Sequence, residues 1–117
     1  MKKQLNAKNH GIVDYVFSGI QLLAPIALGL PKQATQTYLG LGSGFLGVNA
    51  CSDTPVGLAK KIDFRNHQKA DIGFLAGLAL LTATPMIRNN KKTLAFHLGF
   101  LAMAAANYLL TDYSSRR

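Results

Sequence analysis

Four runs without a single Asp, Glu, Lys or Arg take up most of the chain: residues 15–31, 33–52, 72–87 and 93–111, which are 17, 20, 16 and 19 residues long. A helix that crosses a hydrocarbon core of about 30 Å needs roughly 20 residues at about 1.5 Å each, so all four sit at or near that length. A helix on the outside of a soluble bundle carries charge on its outer face at each turn, whereas these runs are apolar or small all round. The pattern predicts an all-α protein, a four-transmembrane-helix bundle. A small soluble four-helix bundle is the competing reading, because the third run is short and rich in glycine.

With 117 residues the chain is one domain, 1–117. Lys2, Lys3 and Lys8 precede the first run as they would precede a secretory signal cleaved near Ala24 to Ala27, but its apolar part continues to Leu30 and Pro25 sits beside that would-be site. That segment reads as a span. The single Cys51 leaves no partner for an intramolecular disulfide or a multi-cysteine zinc site.

The formal charge of +8 could suggest nucleic acid, but its placement argues for lipid. Four spans put both termini and the middle connection on one side. That side holds Lys2, Lys3, Lys8, Lys60, Lys61, Arg65, Lys69, Arg116 and Arg117, nine of thirteen cations, against Lys32, Arg88, Lys91 and Lys92 on the other. The positive-inside bias makes this a multi-pass protein of the plasma (inner) membrane with both termini cytoplasmic. Cations beside anionic headgroups account for the charge, and no nucleic acid is expected as a partner.

A second pattern lies across the first. His10-x-x-x-Asp14 returns as His67-x-x-x-Asp71, and a shift of 57 to 60 residues also carries Gly19 to Gly77, Pro25 to Pro85, Asn49 to Asn107 and Asp53 to Asp112. The chain reads as two repeated helical hairpins, about 9–57 and about 66–113, related as a parallel repeat about an axis along the membrane normal. The helices are expected from near Asn9 to Leu30, Ala34 to Ala50, His67 to Ile87 and Thr93 to Thr111, with Pro25 and Pro85 bending or ending theirs. Gly40 with Gly44, Gly73 with Gly77, and Ala95 with Gly99 have the small-x-x-x-small spacing that lets helix backbones approach, within the bundle or in a homo-oligomer.

The order His-x-x-x-Asp, Gly, small-Pro, then an apolar hairpin closing on Leu-Leu-Thr-Asp-Tyr resembles the SPW-repeat integral membrane proteins over nearly the whole chain. The matching residues are His10, Asp14, Gly19, Ala24 and Pro25 in the first copy and His67, Asp71, Thr84 and Pro85 in the second, with 53–57 and 111–113 closing the hairpins. The family's Ser-Pro-Trp stands here as Ala24-Pro25-Ile26 and Thr84-Pro85-Met86, and the chain has no Trp. The resemblance implies a four-helix membrane protein and no particular reaction.

Residues four apart share a helix face, so His10 pairs with Asp14 and His67 with Asp71, and Asn49 and Asn107 return near the same depth. Two imidazoles and two carboxylates form a donor set for a divalent ion such as zinc, manganese or iron. Hydrogen-bonded polar pairs at helix entrances, with no cofactor, are the simpler account. His97, near the opposite face, reads as a locally bonded bundle histidine, and the four tyrosines as interfacial anchors. No phosphate loop, dinucleotide fingerprint, nucleophile elbow or zinc-protease signature is present, so the sequence specifies no enzyme. The reading that follows is a structural, accessory or partner-binding membrane protein. Its alternative is a metal-binding or ion-handling protein using His10, Asp14, His67 and Asp71.

Overall fold

The computed structural model describes residues 4–114. Lys2, Lys3, Arg116 and Arg117, counted above in the charge bias, lie outside them. The described chain is all helical: α1 (Ala7–Ala27), α2 (Lys32–Ala50), α3 (Phe64–Thr82), the short α4 (Pro85–Arg88) and α5 (Lys91–Leu110). Each boundary has a local cause. The Asn6, Asp63 and Asn90 side chains accept from Asn9, Arg65 and Thr93 N–H, capping α1, α3 and α5. Gly29, at φ +67°, ends α1 in the left-handed region, and Leu30 N–H returns to Pro25 O.

The third helix is shorter than the sequence pattern implies. It stops at Thr82 rather than Ile87 because Thr84 takes the extended conformation that a residue before proline favours, and Pro85 opens α4 at its first turn. Pro25 stays within the last turns of α1.

Helix α1 packs along α2, and α3 along α5, giving two hairpins. Their shared core is Phe17, Tyr38, Phe45, Leu78, Phe100 and Ala104. The hairpins join at one end through matched backbone bonds. Asp53 N–H donates to Ile62 O (2.6 Å), beside a parallel bridge between Ser52 and Ile62; Asp112 N–H donates to Leu5 O (2.8 Å), beside one between Thr111 and Leu5. The end of each hairpin thus holds the segment leading into the other.

The polarity of the fold runs inside out. Buried polar residues include His10, Asp14, Ser18, Gln21, Asn49, His67, His97 and Asn107, while Leu23, Ile26 and Leu80 are 68%, 65% and 74% exposed on the outer faces. By length and composition, α5 alone among the described helices is long and apolar enough to cross a membrane. Helix α3 carries Arg65, Lys69 and Asp71 within its 19 residues, and α2 is diluted by glycine, serine, threonine and glutamine.

The small-residue pairs face outward. A Cβ added at Gly40, Gly44, Gly73, Gly77 or Gly99 would meet nothing within 4 Å, and Ala95 is exposed. The glycine that brings helices together is Gly42, where a Cβ would stand 2.9 Å from Gln21 Cβ and 3.1 Å from the Leu22 side chain.

Candidate metal centre

Helices α1 and α3 begin at the joined end, and their first turns carry the two His-x-x-x-Asp pairs inward. His10, Asp14, His67 and Asp71 are brought together and buried, with one ligand atom from each inside a 4.8 Å cluster. His10 Nε2 lies 3.0 Å from Asp14 Oδ2, 3.0 Å from Asp71 Oδ2 and 3.2 Å from His67 Nε2. His67 Nε2 lies 2.9 Å from Asp14 Oδ2 and 3.3 Å from Asp71 Oδ2. A tetrahedral ion with bonds of about 2.0–2.1 Å to nitrogen and oxygen has ligand-to-ligand edges of about 3.3 Å. These five distances, of the six edges a tetrahedron has, are close to that value, and all four atoms lie within 4.8 Å of one another.

The outer ring nitrogens fix which face of each imidazole is free. Ser52 Oγ gives its proton to Val48 O (2.6 Å), so toward His67 Nδ1, 2.6 Å away, it offers only a lone pair. Thr111 Oγ1 gives its proton to Asn107 O (2.5 Å) and meets His10 Nδ1 at 2.6 Å in the same way. Both Nδ1 atoms therefore carry hydrogen, and in the neutral ring both Nε2 lone pairs point into the cluster. Histidine ligands are commonly oriented by such an outer partner.

The carboxylates are positioned too. Asn107 Nδ2 donates to Asp14 Oδ1 (2.9 Å), and Tyr113 O–H donates to Asp71 Oδ2 (2.7 Å). Burial, then the neighbouring Asp71 charge, push the Tyr113 hydroxyl well above its ordinary range, so it remains a donor. Asn49 does not reach the ligands; its Nδ2 donates to Gly11 O (2.9 Å). Ala7, Phe64 and Tyr113 pack over the end of the cluster, with the Phe64 and Tyr113 rings 5.6 and 5.3 Å from the His10 ring.

Ser52, Thr111 and Tyr113 escaped the sequence reading as site residues. The available signal was the pair of dipeptides Ser52-Asp53 and Thr111-Asp112, a hydroxyl residue before the acid that closes each hairpin.

His97 forms a separate polar knot. Its Nε2 donates to Leu78 O (2.8 Å), leaving Nδ1 to accept a short hydrogen bond from Tyr38 O–H. Tyr38, expected as an interfacial anchor, is wholly buried against Phe96 and Phe100. Comparison with family models, curated proteins and solved structures finds no match to this chain.

Proposed function

We propose that this chain is a small multi-pass membrane protein that holds one divalent transition-metal ion, zinc in the first instance, through His10, Asp14, His67 and Asp71. The observation that carries the proposal is the convergence of two Nε2 lone pairs and two carboxylate oxygens, with five of six edges close to tetrahedral and both Nδ1 atoms already committed to hydroxyls. Without an ion, neutral rings with hydrogen on Nδ1 would turn both Nε2 lone pairs toward the carboxylates in a buried space. Two protonated rings would pair with Asp14 and Asp71 at 2.9–3.3 Å but set two N–H groups head to head at 3.2 Å. One divalent ion with two neutral imidazoles and two carboxylates is net neutral and satisfies all four.

The membrane setting rests on the four uncharged runs and the exposed leucines and isoleucines around a polar interior. In this reading four helices span a plasma (inner) membrane, both termini are cytoplasmic, and the ion lies near the cytoplasmic boundary. The matched backbone bonds and matched Ser52–His67 and Thr111–His10 pairs support two copies of one hairpin, as in the SPW-repeat proteins. The ion then joins the copies, drawing one His and one Asp from each.

The test is elemental analysis of detergent-purified protein. Wild type is expected to carry about one equivalent of metal, and Asp14→Asn/Asp71→Asn to carry none while remaining in the membrane fraction. Metal-free wild type refolded with zinc, manganese and iron, and binding none of them stoichiometrically, sinks the proposal. A chain that stays soluble and monodisperse without detergent sinks the membrane setting.

A further inference from the structure

Helices α1 and α3 each bring a further residue to the cluster three places before its histidine: Ala7 ahead of His10, and Phe64 ahead of His67. The 57-residue step that carries His10 to His67 therefore also carries Ala7 to Phe64. Both are buried, and with Tyr113 they form one apolar group over the end of the cluster. The Phe64 ring centroid lies 5.6 Å from that of His10, 5.6 Å from that of His67 and 5.2 Å from that of Tyr113, so it stands equally over both imidazoles. Matched positions that converge on one space fill it with one large side chain and one small one.

The other approaches lead to one carboxylate. On the inner side a void of about 10 Å³, at the lower limit for a single water, touches Asp71 alone of the four proposed ligands. The groove of about 310 Å³ between α2 and α3 likewise touches Asp71 alone. A molecule coming from either side meets that carboxylate before the ion. A polar surface pocket of about 270 Å³ beside Tyr113 touches none of the four. His10, Asp14 and His67 are at most 1% exposed.

We propose, resting on the metal reading, that Phe64, with Ala7 and Tyr113, fills the position a fifth ligand would take, so that the centre is closed at four ligands. Structural zinc sites are closed in this way, whereas catalytic ones keep a position for water or substrate. The ion joins the two hairpins and carries out no reaction. Closure also makes Phe64 a specificity-determining residue. Affinity ordinarily rises from Co(II) to Ni(II), and Ni(II) favours square-planar or tetragonal ligand sets. Here Ser52 and Thr111 hold the rings, and Asn107 and Tyr113 the carboxylates, around a tetrahedron with no room to expand, which reverses that order.

Metal-free full chain in lipid nanodiscs, reloaded with Co(II), reports its coordination number through its visible bands, strong for four ligands and weak for six. Wild type is expected to show strong bands that azide leaves unmoved, and to bind Co(II) more tightly than Ni(II) by about tenfold in chelator competition. Phe64→Ala is expected to keep its cobalt and to gain bands that shift with azide, while Phe64→Leu, which keeps the space filled, behaves as wild type does. If Phe64→Ala holds no cobalt, Phe64→Val is read in its place. Weak bands, a wild-type shift with azide, Ni(II) bound as tightly as Co(II), or a cobalt-loaded truncation that ignores azide overturns the inference and leaves the metal reading standing. A chain that binds neither cobalt nor any of the metals above overturns both.

Discussion

Replacing Ser52 with Ala tests the proposed metal centre without touching any of its four proposed ligands. Ser52 is 0% exposed and His67 1%, so no solvent stands ready to replace the lost acceptor. A buried N–H left without a partner costs about 1–3 kcal/mol. If the proton moves to Nε2 instead, the ring loses the lone pair it offers the ion. Either outcome is paid at the metal, and loss of such outer partners lowers metal affinity typically about 10–100-fold. Chelator competition on detergent-solubilised protein measures the constant directly. Ser52→Thr is expected to keep wild-type affinity, because Thr111 does the same job for His10 at the same 2.6 Å. The double variant Ser52→Ala/His67→Ala is expected to bind no more weakly than His67→Ala alone, since the hydroxyl acts only through the ring. Stoichiometric metal with Ser52→Ala affinity within about twofold of wild type would refute the lone-pair argument.

Other substitutions probe the packing. Gly42→Leu is expected to destabilise the α1–α2 hairpin by about 1–3 kcal/mol through contact with Gln21 and Leu22, whereas Gly40→Ala gains about 0.5–1 kcal/mol; thermal unfolding in detergent compares them. Gly57→Ala is expected to prevent native folding, since its Cβ would fall 1.9 Å from Ser52 O, and loss of the monodisperse peak on size exclusion reports this. Tyr38→Phe leaves His97 Nδ1 without its donor and is expected to cost about 1–3 kcal/mol in the same unfolding assay, with metal content unchanged. Tyr113→Phe removes one hydrogen bond from Asp71 and is expected to speed metal release to a chelator, read by stopped flow.

The His/Asp cluster was legible in the sequence for a physical reason. A four-residue step keeps His and Asp on one helix face, and an internal echo of that step implies a second face able to meet it. The pairing of helices into hairpins followed from the charge-free runs in the same way. What stayed hidden is what depends on the turns rather than the helices. Ser52 and Thr111 sit where α2 and α5 run out, and only the bridges to Ile62 and Leu5 bring their hydroxyls under the rings. Sequence spacing carries no record of such a crossing. The direction of the small-residue faces is hidden for a related reason: spacing shows that Gly40 and Gly44 share a face but not which way it points, and here it is open on the outside of the bundle, with Gly42 packed within it.

The cluster departs from twofold likeness at its carboxylates. Each ring has its hydroxyl, but the carboxylates are treated differently: Asp14 is held by Asn107 within the bundle, Asp71 by Tyr113 at the cap. The residue matching Asn107, Asn49, bonds Gly11 O and leaves Asp71 without an amide partner. The residue matching Tyr113 at the 59-residue shift is Thr54, whose buried hydroxyl has no partner. With Asp14 held by an amide inside the bundle and Asp71 by the cap tyrosine, the proposed ion would loosen first on the Asp71 side. Loosening the Asp71 side alone, with Tyr113→Phe, is therefore expected to leave the Asn107–Asp14 bond intact and to change the rate of metal release to a chelator, not metal stoichiometry.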